Sequence, residues 1–248
     1  MAITATDLTS GSDTTLATSY VTASITPTAN RLVLLTTAAS KATTPSQPTV
    51  SGAGLTWVFV SGFVFDTETT VTVNMERIDV FRALSASPGS GAVTINYGSN
   101  QTGCLWSIVE FDGIDTSGSN GANAVAQPTQ TAPDPIPATQ GSLTLAAAGN
   151  SNNRPFSAWA HETQEATNPR SGWTEIHDAL MGSPANGLET QWRGDAFETT
   201  ASASWATPST FGGVALELVA AAAGGGQPAL ARFRSVPHVQ PGRGGDYR

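Results

Sequence analysis

Short runs of Val, Ile, Leu, Thr and aromatic residues alternate along the chain with clusters of Gly, Pro, Ser and Asn. Examples are "NRLVLLTTAAS" from Asn30, "GAGLTWVFV" from Gly52, "RIDVFRALSA" from Arg77, "GAVTINY" from Gly91 and "WSIVEFDG" from Trp106. Several alternate with a period of two. In "SIVEFD", Val109 and Phe111 fall on one face of a strand and Glu110 and Asp112 on the other. Runs of this length, bounded by turn residues, predict an all-β protein.

The pattern also repeats. "DLTSGS" from Asp7 is answered by "DTSGS" from Asp115, and "NRLVLLTTAAS" by "GSLTLAAAGNS" from Gly141. "GAGLTWVFV" is answered by "RSGWTEIHD" from Arg170, and "RIDVFRALSA" by "GLETQWRGDA" from Gly187, which aligns Arg82 with Arg193. "GAVTINY" is answered by "TTASASW" from Thr199, and "WSIVEFDG" by "GGVALELVA" from Gly212, which aligns Glu110 with Glu217. "ANAVAQPTQTAP" from Ala122 matches "SYVTASITP" from Ser19. The ordered matches predict two β-repeats, 1–114 and 115–220, followed by an Ala/Gly linker and extended tail over 221–248. Two architectures fit: one jelly-roll-like sandwich made by both halves, or two tandem sandwiches of immunoglobulin size. The second half uses Ala where the first uses Leu and Val, which favours shared burial and the joined sandwich.

Composition narrows the class. Only 12% of residues are charged, which disfavours long helices. Residues 1–225 carry 18 acids against 7 bases; residues 226–248 carry four arginines against Asp246. An acidic body repels phosphates, so nucleic acid is not an expected partner. No apolar run reaches membrane-spanning length, and "MAITATDLTSGSD" lacks the basic start and apolar centre of a signal peptide. Synthesis in the cytoplasm is therefore expected. Cys104 is the sole cysteine, so no internal disulfide forms.

Candidate chemistry centres on Glu110, Asp112 and Asp115. Their E-x-D-x-x-D spacing is similar to the E-x-D-x-E strand of jelly-roll glucanases, with the last acid displaced. The recurrence of Glu110 as Glu217 points instead to a scaffold role, on the less buried face and near an arginine such as Arg82 or Arg193. "HETQE" at His161 has Glu165 where H-E-x-x-H needs a second histidine, and its polar surroundings predict a solvated loop. His177 and His238 are isolated. "DGIDTSGSNG" offers Asp112, Asp115 and Asn120 to calcium but reads more simply as a turn. No catalytic residue, metal or cofactor is expected. Trp57 and Trp173 match across the repeat and read as core, as does Trp192, whereas Trp159 in "NNRPFSAWAHE" reads as a loop residue able to contact a glycan. In the tail, Arg232, Arg234, Arg243 and Arg248 could pair with carboxylates of a partner, with Phe233, Val236 and Tyr247 as apolar anchors.

The order "NRLVLLTTAAS … GLTWVFV … VFRALSASPG-x-GAVTINY … SIVEFDGIDTSG" resembles β-sandwich virion structural proteins of tailed bacteriophages. The resemblance covers about residues 7–220 and leaves out the tail. It implies a noncatalytic assembly role, as head decoration, spike, or tail or fibre component. It implies other virion proteins as partners, copies of this chain among them, and a location in the particle. A carbohydrate-binding adhesin module is the runner-up, with a host-surface glycan as ligand, and a glucanase-like enzyme the third reading.

Overall fold

The computed structural model describes residues 2–66, 75–133 and 135–222. Sixteen strands form in chain order: β1 (Thr4–Asp13), β2 (Ala17–Val21), β3 (Leu32–Lys41), β4 (Thr49–Gly52), β5 (Val58–Asp66), β6 (Met75–Ala83), β7 (Val93–Gln101), β8 (Gly103–Asp112), β9 (Val125–Gln130), β10 (Ala138–Thr144), β11 (Arg154–His161), β12 (Asn168–Pro169), β13 (Thr174–Gly182), β14 (Ala185–Trp192), β15 (Thr200–Ser209) and β16 (Phe211–Leu218). The helical content among the described residues is one short 3-10 segment, Ser119–Ala124. The protein is all-β.

The first half makes a five-stranded sheet, β1-β8-β3-β6-β5, and a three-stranded sheet, β2-β7-β4. The second makes β9-β16-β11-β14-β13 and β10-β15-β12. Adding eight to each strand number of the first half gives the second half. Glu110 on β8 and Glu217 on β16 occupy the same place in this order. Glu110 lies opposite Val33 on β3, and Glu217 opposite Pro155 on β11.

Three apolar clusters divide the molecule into layers. Within the first half, Val33, Leu35, Trp106 and Ile108 of the large sheet pack on Tyr20, Val93 and Ile95 of the small one. Within the second, Trp159 and Ala215 pack on Leu143, Ala203 and Trp205. The largest cluster lies between the two five-stranded sheets: Leu34, Ile78, Leu105 and Phe111 face Phe156, Leu188, Leu216 and Leu218. Phe111 meets Phe156 edge-on at 6.0 Å and Trp192 at 5.8 Å. Burying one such ring stabilises by roughly 2–3 kcal/mol. The large sheets are therefore inner layers covered on both faces. This is why β3, "LVLLTTAASK", is apolar or small almost throughout and does not alternate. The halves are also stitched by backbone: Asp115 donates to Val219 at 2.8 Å and Ala221 to Gly113 at 2.8 Å.

Strand order corrects parts of the sequence alignment. The counterpart of β3 is β11, "RPFSAWAH", not "GSLTLAAAGNS", whose first residues end β10. The counterpart of β1 is β9, so "ANAVAQPTQTAP" does not match "SYVTASITP", which contains part of β2. Arg82 lies opposite Leu34 and Trp192 opposite Phe156, so Arg82 corresponds to Trp192, one residue before Arg193.

Candidate functional site

β8 is paired on both sides, with β1 and β3, which fixes Glu110 and Asp112 on one face at its end. Glu110 is 3% exposed. Its carboxylate accepts the Thr28 backbone N–H at 2.8 Å, the Thr28 hydroxyl at 3.0 Å and the Arg31 guanidinium at 2.7 Å. Asp112 is half exposed and reaches the same guanidinium at 3.5 Å, while also accepting the Gly113 N–H at 2.7 Å. The two acids do share a face, but Arg31 bridges them and the Thr28–Arg31 loop caps Glu110. A glycosidase pair needs its carboxyl groups free to flank a substrate; here that space holds Thr28 and Arg31. Glu217 is bound in the same way, accepting from Gln127 at 2.6 Å, the Gly149 N–H at 3.1 Å and Asn153 at 2.5 Å. In each half the glutamate holds the loop that enters the central strand. Both are buried, which overturns the expectation of a less buried face. Arg82 and Arg193 are not their partners; Arg193 pairs with Asp195 and Glu198.

The other motifs also resolve into local structure. His161 closes β11 and is fully buried, not in a solvated loop. Its nitrogens lie 2.8 Å from the Thr163 and Thr167 hydroxyls, its ring stacks on Trp205 at 4.9 Å, and burial pushes its pKa down to about 4. Asp115 accepts the backbone N–H and hydroxyl of Ser117, at 2.8 and 2.6 Å, in a turn after β8. No group of three His, Cys, Asp or Glu side chains converges to hold a metal among the described residues. Trp159 is the largest correction. It sits in the middle of β11, fully buried, with Nε1 donating to Ser157 Oγ at 3.1 Å, and cannot touch a glycan. His238, Arg232, Phe233, Arg234, Val236, Arg243, Tyr247 and Arg248 lie outside the described residues.

Two buried polar groupings escaped the sequence reading. The first links Asp7, His177, Ser107 and Thr190. His177 Nε2 lies 2.5 Å from Asp7, its Nδ1 lies 2.7 Å from Ser107 Oγ, and that oxygen lies 2.8 Å from Thr190 Oγ1. The residue types are those of a hydrolytic triad, but the arrangement is inverted. Ser107 is 1% exposed and faces the other sheet, while the carboxylate end is open to solvent. A nucleophile needs a cavity for its substrate; Ser107 has a packed seam, so this chain ties β1 and β8 to β13 and β14. The only signal in the sequence was a serine on the apolar face of "WSIVEF".

The second grouping is acidic. Asp66 and Glu76 are cross-strand neighbours at the far end of the seam. Ser40 donates to Glu76 at 2.7 Å, and Asn186 of the second half donates to Ser40. Glu162, also of the second half, hydrogen-bonds Asp66. Burial pushes Glu76 up to about 8 and Glu162 up to about 10. Inside the second half, Glu189 is fully buried and neither carboxylate oxygen has a hydrogen-bond partner among the described residues. Burial, with Glu175 and Asp178 nearby, pushes it up to about 8.

One cavity of about 360 Å³ opens on the outer face of the small sheet of the second half, lined by residues of β10, β12 and β15 and by Arg170 and Ser171 after β12, most of them polar. Comparison with protein-family models, with curated proteins and with solved structures returns no match.

Proposed function

We propose that this protein is a noncatalytic structural component displayed on the exterior of a bacteriophage particle, as a head decoration, spike or tail component. The observation that carries the reading is the strand order. A jelly roll interleaves its first, eighth, third and sixth strands in one sheet and its second, seventh, fourth and fifth in the other, and is a common architecture of viral capsid domains. Each half follows this order except that the fifth strand, β5 or β13, joins the larger sheet. We read the halves as two copies of one jelly-roll-like unit packed through their larger sheets. The noncatalytic part of the reading is supported by Glu110 and Glu217, whose oxygens are spent on their own loops.

The tail belongs to this reading as an anchor. Its four arginines oppose an acidic body, which gives the two opposite charge. Particles purified from a producing lysate and quantified by mass spectrometry should contain the full chain in fixed ratio to the major capsid or tail protein. A chain ending at residue 222 should stay folded and be lost from the particles, and attachment of the full chain should weaken with salt. Absence of the full chain from particles refutes the virion reading. Undiminished incorporation of the truncated chain refutes only the anchor. The adhesin reading is favoured by one observation, the polar cavity of the second half.

A further inference from the structure

We propose that the cavity on the outer face of β10, β12 and β15 binds a neutral saccharide. Its floor is one rung of the sheet: Gln140 lies opposite Ser204, and Asn168 lies opposite Ser204 on the other side. Cross-strand partners project to the same face, so two amides flank one hydroxyl. Ser202, two residues along β15, continues the floor, while Ala203 between them turns into the core. Pro169, Arg170 and Ser171 also line the cavity, and Arg170 reaches the Ser202 hydroxyl at 3.4 Å. The volume, about 360 Å³, is that of a small-ligand site.

Two features set the chemistry of the ligand. The side chains of Gln140, Ser171 and Ser204 make no hydrogen bond among the described residues, and Asn168 reaches only the Ser204 carbonyl, at 3.4 Å. Amides and hydroxyls both donate and accept, as sugar hydroxyls do, so the site offers unspent capacity of the matching kind. Its one charge is already balanced. Arg170 is held by Glu198, at 2.7 Å through Nε and 2.5 Å through a terminal nitrogen. An anion would have to compete with Glu198, and a cation would meet Arg170, which leaves a neutral polyhydroxylated molecule.

The first half explains why only one such site is proposed. Its equivalent rung is Ser19, Asn96 and Thr49. There the Asn96 side chain accepts the Gly98 N–H at 2.8 Å, and β4 stays paired as far as Gly52. In the second half β12 ends at Pro169, and the chain leaves the sheet over Arg170 and Ser171. That departure creates the recess.

This site is independent of whether the chain belongs to a virion, and it is tested on the isolated full-length protein. Saturation-transfer NMR would be run with D-glucose, D-galactose, D-mannose, N-acetyl-D-glucosamine, L-rhamnose and triglycine. At least one sugar should receive saturation. Its affinity should fall about tenfold or more in a Gln140→Ala/Asn168→Ala variant, the loss expected for two hydrogen-bonding groups. Asn96→Ala, on the equivalent rung of the first half, should bind as the unaltered protein does, and the double variant should melt normally because both changed side chains are exposed. Binding by none of the sugars, binding of triglycine in their place, or unchanged binding by the double variant would each overturn the proposal.

Discussion

Glu110 has the spacing of a catalytic carboxylate, yet its oxygens are held by Thr28 and Arg31. Its carboxylate is buried, and its partners Thr28 and Arg31 lie 82 and 79 residues away in the chain. Removing it orphans the Thr28 backbone N–H and leaves the Arg31 guanidinium with only Asp112, at 3.5 Å. Glu110→Ala should therefore cost about 2–4 kcal/mol in urea unfolding, with Glu110→Gln costing less because the amide oxygen can still accept from Thr28. Hydrogen exchange of the Thr28 amide should speed up in both. A loss of less than about 0.5 kcal/mol in the alanine variant would show that the loop does not depend on this carboxylate. The glutamate's scaffold role was legible because Glu110 recurs as Glu217. Its burial and its partners were not, since alternation assigns a face but cannot say which face a distant loop will cover.

Strands that alternate, or that carry a distinctive residue, could be matched between the halves from sequence. β7 and β15 align in register, with Ile95 and Ala203 on corresponding rungs opposite Val50 and Pro169. The central strands β3 and β11 could not be matched, for two reasons. Both are buried on both faces and so lose the period of two. They also exchange a tryptophan with their neighbour. In the first half Trp106 on β8 lies opposite Thr37 on β3; in the second, Gly213 on β16 lies opposite Trp159 on β11. Each half keeps one indole on that rung but on a different strand, so the fit survives while the sequence signal is lost. A Cβ at Gly213 would collide with the Trp159 ring. Gly213→Val should cost about 2–3 kcal/mol through overpacking. The change should appear as a lower urea midpoint and an altered near-UV tryptophan signal; an unchanged midpoint would mean that the indole has somewhere else to go.

At the scale of the whole molecule, what decides stability is the seam and the buried acids around it, none of which a strand pattern reveals. Asp66 and Glu76 come from one half, Glu162 and Asn186 from the other, and only the packing of the halves brings them together. The pKa directions turn this into a pH dependence. Glu76 and Glu189 are raised to about 8 and Glu162 to about 10, in each case first by burial. A carboxyl whose folded pKa is raised holds its proton more tightly in the native state, so its contribution is full below the unfolded value and is lost as pH rises through the folded one. His161 works on the other side. It is lowered to about 4, so its neutral burial costs stability only as pH falls below the ordinary histidine value of 6.5. Glu198, lowered to about 2 first by its Arg170 hydrogen bond, matters only in more acidic solution. Above the histidine range the three raised acids act together up to about pH 8 and Glu162 alone beyond it, so the melting temperature should fall from about pH 6.5 to pH 8 and less steeply above. Glu189→Gln, which cannot ionise, should flatten part of the slope below about pH 8 and raise the melting temperature at pH 9. Glu76→Gln should do the same while keeping an acceptor for Ser40. Differential scanning calorimetry of the three proteins across this range is the measurement. A melting temperature that rises between pH 7 and pH 9, or a slope unchanged in both variants, would mean that these carboxyl groups ionise freely and that the seam opens to water around them.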